Sequence, residues 1–264
     1  MDVTSLGYRT DLMIRALEGS QVVHHPGYVT VRTPANPAFW WGNFVLLSGL
    51  AARQGPEPGL ALMRSEFPAS AHVALGIDVT SAAAAGLDDF AAAGLDVHHD
   101  TVLTAGALRE PPHPNHAAVL RELAGDDDWR QSAQLRAICD AEEGGYPPVP
   151  AFIAARDAAR RALAGTGHGA WFGAFLDGQL ASQLGVFSDR RGVARYQEVA
   201  THPDARRQGL AATLLHHAAR YATGHLAATT LVIVADPGEP AIGVYRGVGF
   251  ADRETEVSVS RAPS

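Results

Sequence analysis

The run THPDARRQGLAATLL, Thr201 to Leu215, allows few local folds. Pro203 cannot donate to a sheet ladder, so the β-rich run GVARYQEVATHP (192–203) must end there. Gly209 admits a left-handed backbone, and Leu210, Leu214 and Leu215 then recur at helical spacing to give one apolar face. The stretch therefore predicts strand, tight turn and helix in quick succession, with Arg206 and Arg207 at the hinge. The first N–H groups of a helix lack intrahelical partners and sit at the positive end of its dipole, which suits a phosphate. Gly209 would keep a Cβ out of the ligand's way, Ala211 would keep the next turn slim, and the two arginines can add charge-assisted contacts. A surface turn with two solvated arginines explains the same six residues equally well. Only the rest of the chain separates these readings.

Downstream of a proline-rich seam, LREPPHPNH (108–116), the order of elements is informative. Prolines at 111, 112 and 114 exclude a helix or a central strand there, and leave about 107 residues before the seam and about 150 after it, both ordinary domain sizes. DDDWRQSAQLRAICDAEE (126–143) and PAFIAARDAARRALAGTG (150–167) predict two helices, the first opened by acids and the second by proline and closed by glycine. WFGAFLDGQLASQLGVFSD (171–189) predicts a hairpin turning at Asp177-Gly178. After the opening stretch come a strand at 228–236, a short helix within 239–250 and a strand at 253–260, so the order is α-α-β-β-β-α-β-α-β. The first part predicts strands at 27–32, 43–50, 72–79 and 95–104, a helix at 58–67, and a second helix over 81–94 with Ser81 as N-cap and Gly94 as stop. FWWGNF (39–44) reads as a packed core corner.

Composition excludes several functions. The chain has 264 residues and a net charge of −7, which argues against a general nucleic-acid binder. All 21 basic residues are arginine, so neither a Walker A phosphate loop nor lysine-based covalent chemistry is available. No apolar run is long enough to predict a membrane span, and the acidic first residues predict no secretory leader, leaving the cytoplasm as the expected location. Cys139 has no thiol partner. The histidine pairs 24-25, 98-99 and 216-217 point apart on either a strand or a helix, and no metal motif accompanies His113 and His116, so no metal is expected. No G-x-S-x-G nucleophile elbow is present.

VATHPDARRQGLAATLLHHAARYA resembles the central motif of the GCN5-related N-acetyltransferase (GNAT) superfamily, whose acetyl-CoA signature is Gln/Arg-x-x-Gly-x-Gly/Ala. It stands here as Arg206, Arg207, Gln208, Gly209, Leu210, Ala211. AIGVYRGVGF (241–250) resembles the family's late helix and turn, A-I-x-L-Y-x-x-x-G-F, and the element order from about 116 to 260 also matches. The resemblance implies an α+β fold: a central mixed, largely antiparallel sheet flanked by helices. Residues 113–264 would form the catalytic domain. Residues 1–112 would form a smaller GNAT-like α/β domain, similar to tandem relatives whose N-terminal half has lost its phosphate motif. The equivalent turn, at 78–87, holds no arginine and no such motif.

By the same resemblance the main chain of Arg207 to Ala212 would hold the pyrophosphate of acetyl-CoA. Val199, Ala200 and Thr201 would pair with the pantetheine amides across a gap from the strand at 230–235. Tyr245 falls on the family's tyrosine, which serves the leaving thiolate as acid. Glu198 falls where several relatives carry a catalytic glutamate. Alternation would place it on one face with Tyr196 and Ala200 as general base, against the alternative of an exposed or paired strand acid; His202 is a second candidate base. One departure is Gly238, where many members carry an Asn that contacts cofactor. The implied function is acetyl transfer to a small primary amine by direct reaction in a ternary complex, since Cys139 lies in a predicted helix remote from the motifs. The alternatives are a non-catalytic acyl-CoA-binding or sensing module, and a peptide or protein amine as acceptor. Acetyl-CoA and a small amine are the expected partners, without nucleic acid or membrane; a homodimer stays open.

Overall fold

The structure, a computed structural model, describes residues 1–84, 86–143 and 150–262. In chain order the elements are α1 (Leu6–Leu17), β1 (Gln21–His25), β2 (Tyr28–Arg32), β3 (Phe44–Ser48), α2 (Gly49–Ala52), α3 (Pro56–Glu66), β4 (Val73–Asp78), α4 (Asp88–Ala92), β5 (Asp96–Ala105) and β6 (Val119–Glu122). There follow α5 (Gly125–Glu143), α6 (Pro150–Ala164), β7 (Gly169–Leu176), β8 (Gln179–Ser188), β9 (Val193–Thr201), α7 (Leu210–His225), β10 (Thr230–Ala235), α8 (Ala241–Val248) and β11 (Ala251–Arg261). The α-α-β-β-β-α-β-α-β order expected of the later part is present. Helix α1 and strands β1 and β6 carry no strong signal in the sequence and were not anticipated. The helix expected over 81–94 is interrupted: Gly86 takes a left-handed backbone (φ 64°), leaving a single 3-10 turn at Ala82–Ala84 and the short α4. Ser81 therefore caps no continuous helix, while Gly94 (φ 74°) does end the segment.

The chain forms two compact units: Met1–Val102 with Val234–Pro237 and Asp252–Ser264, and Leu103–Ile233 with Gly238–Ala251. In the first unit β1, β2 and β3 pair antiparallel in sequence order, β3 pairs β4 in parallel, and β4 pairs β11 antiparallel. Its central strands β3 and β4 are apolar on both faces, as a sheet covered on both sides requires. Val45, Leu47, Leu75 and Ile77 join one cluster with Leu60, Met63 and Phe90, whereas Phe44, Leu46 and Ala74 join another with Tyr8 and Leu12. The buried Tyr8 hydroxyl donates to Val257 O at 2.6 Å, tying α1 to β11. In the aromatic stretch Phe44 is buried, while Trp40 stacks on His72 and Trp41 packs edgewise on Phe44.

In the second unit β6 to β9 pair antiparallel in sequence order and β9 pairs β10 in parallel. The hairpin turns at Asp177 (φ 49°) and Gly178 (φ 79°), as the Asp-Gly pair predicts. Helices α5 and α6 lie on one face and α7 on the other. Trp171 of β7 donates its indole N–H to Arg160 O of α6, while its neighbour Phe172 meets His217 and Tyr221 of α7. Leu210, Leu214 and Leu215 are buried, so the apolar stripe of α7 faces the sheet as its spacing demands.

The two units repeat one plan: an antiparallel triplet, then a parallel crossover through a helix whose N-cap is a glycine of positive φ. In the second unit that glycine is Gly209 (φ 76°), and in the first it is Gly55 (φ 88°). The counterpart of the Arg207-Gln208-Gly209 turn is therefore Arg53-Gln54-Gly55, and not the expected 78–87. There the helix continues Pro56-Glu57-Pro58, which removes two N–H donors and adds a carboxylate.

Candidate active site

The site in the second unit starts from a defect in β9. Its register with β8 shifts between Gln183 and Gly185, and Glu198 sits at φ 46°, in the left-handed region. This β-bulge breaks the alternation that would align Tyr196, Glu198 and Ala200 on one face. Tyr196 instead turns to the α7 side, donating its hydroxyl to Leu215 O at 3.0 Å and meeting the edge of Phe250. Glu198 turns to the α6 side. The bulge also marks the divergence of β9 from β10: their ladder runs from Val193–Thr230 to Arg195–Val232 and stops, although both strands continue. Ala200 and Thr201 thus remain paired to β8 on one edge, with Val199 in the bulge beside them, while the β10 ladder does not reach their other edge.

Both Glu198 oxygens are occupied. Arg156 Nη2 lies 2.5 Å from Oε1 and Arg160 Nε 3.0 Å from Oε2. Burial alone would push this carboxyl up, but the fields of Arg160, Arg156 and Arg136, with the Arg156 hydrogen bond, outweigh it and hold it at about 2. Arg160 is itself buried beneath Trp171, 4.4 Å from the ring centroid, and donates to Ser132 Oγ, which donates to the buried Gln183 Oε1 at 2.6 Å. Glu198 is thus a paired acid on the strand, and its partners, Arg156 and Arg160, stand four residues apart on one face of α6.

The open end of the gap is the Arg206–Ala212 turn. Gly209 is the N-cap of α7, Arg207 also has a positive φ (65°), and the backbone N–H groups of Arg207 through Ala212 have no partner among the described residues. Helix α7 begins at Leu210, directly after Gly209, and Pro203–Ala205 form a separate 3-10 turn capped by His202. Leu210 is buried, so it offers a ligand only its backbone. Arg206 does not face the turn's free donors: its guanidinium pairs with Glu142 at 2.6 Å and its Nε donates to Thr201 O. Arg207 and Gln208 are exposed.

His202 accepts the Asp204 N–H at Nδ1, which makes it a capping group. Tyr245, on α8, is only 6% exposed, has no hydroxyl partner among the described residues, and is pushed up to about 12 by burial. Cys139 is closer to the motifs than expected: its buried thiol lies 3.7 Å from Thr201 O, because α5 packs along the end of β9. Among the described residues no cluster of three metal-ligating side chains exists, and no helix is long and apolar enough to cross a membrane.

Residues 134–250 match the family model of the acetyltransferase (GNAT) family, a span that runs from α5 through the bulged strand and the turn to Phe250. These residues form a GNAT-family domain. By that domain the protein is an acyltransferase, and its fold is shared along nearly the whole chain by solved GNAT structures. A GCN5-related N-acetyltransferase from Kribbella flavida has 17% identity and TM-score 0.66, over 99% of this chain and 97% of its own. A tandem GNAT protein from the clavulanic acid biosynthesis pathway has 15% identity and TM-score 0.55, over 95% and 88%. An acetyltransferase of the GNAT family from Novosphingobium aromaticivorans has 19% identity and TM-score 0.50, over 92% and 91%. No curated protein matches the chain. The fit of this GNAT site to an acyl-CoA rests on its own atoms: a row of unpartnered N–H groups, slimmed by glycine, at the mouth of a gap with a free strand edge.

Proposed function

We propose that this protein is an acetyl-CoA-dependent N-acetyltransferase acting on the primary amine of a small molecule, by direct transfer within a ternary complex. The observation that carries the reading is the divergence of β9 from β10 beyond Arg195–Val232, ending at the free donors of Arg207 to Ala212. In this reading those main-chain groups, with the Arg207 side chain, hold the pyrophosphate. The open edge of Val199, Ala200 and Thr201 hydrogen-bonds the pantetheine arm, and Arg206, Gln208, Leu210 and Ala211 shape the turn. The second unit, Leu103–Ile233 with Gly238–Ala251, serves as the catalytic domain, and the first as a GNAT-like domain without donor binding.

When bound, acetyl-CoA supplies a thioester carbonyl open to an amine. Tyr245 keeps its proton throughout the neutral range, being held at about 12. A thiol titrates near 8.5, so full transfer of the tyrosine proton to a thiolate would cost about 5 kcal/mol. Tyr245 therefore acts as a hydrogen-bond donor to the sulfur as it gains charge. For Glu198, taking a proton from an ammonium of pKa about 10.4 would cost about 11 kcal/mol, against about 8 for an ordinary glutamate. Its proposed role is to anchor α6 on the bulge and to keep the neighbouring acceptor side polar, while solvent removes the amine proton.

Two observations favour a second reading, acyl-CoA binding without turnover: the weak basicity of Glu198, and Gly238 where many relatives carry a cofactor-contacting Asn. Release of free CoA thiol from acetyl-CoA across a panel of small primary amines tests the proposal. Amine-dependent release supports it. Tight acetyl-CoA binding with no release across the panel, and release with a peptide amine instead, overturn the small-amine assignment.

A further inference from the structure

The proline seam does more than join two halves. It runs across the back of the phosphate turn and touches it at three points. The Asn115 amide Nδ2 donates to Gln208 O at 3.0 Å. Its backbone N–H donates to Thr213 Oγ1 at 2.9 Å, and that hydroxyl donates to Gly209 O at 2.8 Å. A Cβ on Gly209 would overlap the carbonyl oxygen of His113, so the seam lies directly against the glycine. Asn115 is itself held, since its Oδ1 accepts the N–H groups of Ala117 and Ala118 at 3.0 and 2.9 Å.

We infer that Asn115 is a positioning residue for donor binding, a deduction that rests on the acyl-CoA reading of the turn. A trans peptide is planar, with its C=O and N–H antiparallel. Fixing Gln208 O toward Asn115 therefore aims the Gly209 N–H away from the seam. Gly209 O accepts the Thr213 backbone N–H at 3.0 Å, and the Thr213 hydroxyl relay from Asn115 adds a second hold on it, which does the same for the Leu210 N–H. Left-handed backbone at Arg207 and Gly209 makes this turn prone to other peptide orientations, and the seam selects one. The corresponding Gly55 of the first unit has nothing packed on its open side.

The test compares two donors in the full chain: acetyl-CoA, and S-acetylpantetheine, which lacks the pyrophosphate. Asn115→Ala removes the contact to Gln208, and Thr213→Val removes the relay to Gly209 without changing side-chain shape. Each is expected to raise KM for acetyl-CoA roughly three- to tenfold, the worth of one hydrogen bond, with kcat held and KM for S-acetylpantetheine unchanged. CoA binding by calorimetry should weaken by the same factor. Unchanged acetyl-CoA affinity in both variants overturns the inference, and so does an equal loss toward both donors, which would mark general damage to the fold. If the unaltered protein fails to bind CoA, the acyl-CoA reading itself falls, an outcome visible before any variant is made.

Discussion

Arg160 Nε lies 3.0 Å from Glu198 Oε2, joining a fully sheathed helix residue to the one strand residue of β9 with a left-handed backbone. The bulge and the ion pair require each other. Without the bulge Glu198 would follow the strand's alternation, and without Glu198 the guanidinium of Arg160, 2% exposed, would lose its closest countercharge.

Glu198→Gln should therefore destabilise the fold by about 3 kcal/mol, as expected when one partner of a mostly buried pair is removed. Chemical denaturation measures this directly. A change within a few tenths of a kcal/mol would mean that solvent already screens the pair.

The same carboxyl sets a pH dependence. Its folded pKa, about 2, lies below its ordinary 4.5, so its stabilisation is complete above pH 4.5 and is lost as pH falls from there through 2. Unfolding curves of the unaltered protein and of Glu198→Gln should converge across that window and run parallel above it. The pH profile of kcat/KM between pH 5 and 9 should keep its shape in the variant. An acidic limb that disappears with Glu198→Gln would restore the residue to the role of base.

Tyr245→Phe removes a hydroxyl that has no partner to lose within the described protein, so folding should be untouched. Turnover should fall roughly 10- to 100-fold, the worth of a hydrogen bond to a charged group, while CoA affinity stays constant. Equal kcat in the two proteins would remove Tyr245 from the reaction.

Gly209→Ala forces a side chain into a left-handed position and against the His113 carbonyl. A stability loss of about 1–3 kcal/mol is expected, together with a raised KM for acetyl-CoA. Thermal melts and initial rates check the two effects separately, and a neutral result in both would show that the seam yields freely.

Calorimetry should count one CoA per chain. Pro56 and Pro58 leave the first unit's turn two donors short, and Glu57 sets a carboxylate at its helix start. A second site of comparable affinity would show that this unit still binds donor.

Much of this architecture is written locally. Asp177-Gly178 needs only two residues to make a hairpin, Pro203 to end a strand, and the Leu210-Leu214-Leu215 stripe to lay a helix on a sheet. Gly209 and the unpartnered N–H groups beside it follow from helix geometry, so a turn shaped to suit an anion was legible from fifteen residues. The first unit was harder: α1 and β1 have weak patterns, and Gly86 divided a helix that composition alone would have continued.

What the tertiary structure decided is where the side chains around that turn point. Arg206 belongs to Glu142, Glu198 to Arg156 and Arg160, Cys139 to the end of β9, and Asn115 to the back of the phosphate turn. Each pairing joins residues about 40 to 90 positions apart, and they depend on the packing of α5, on a one-residue register shift in β9 and on the path of an irregular seam. Periodicity carries no record of either, because hydrophobic spacing encodes which face an element buries and is silent on which partner its polar groups will meet.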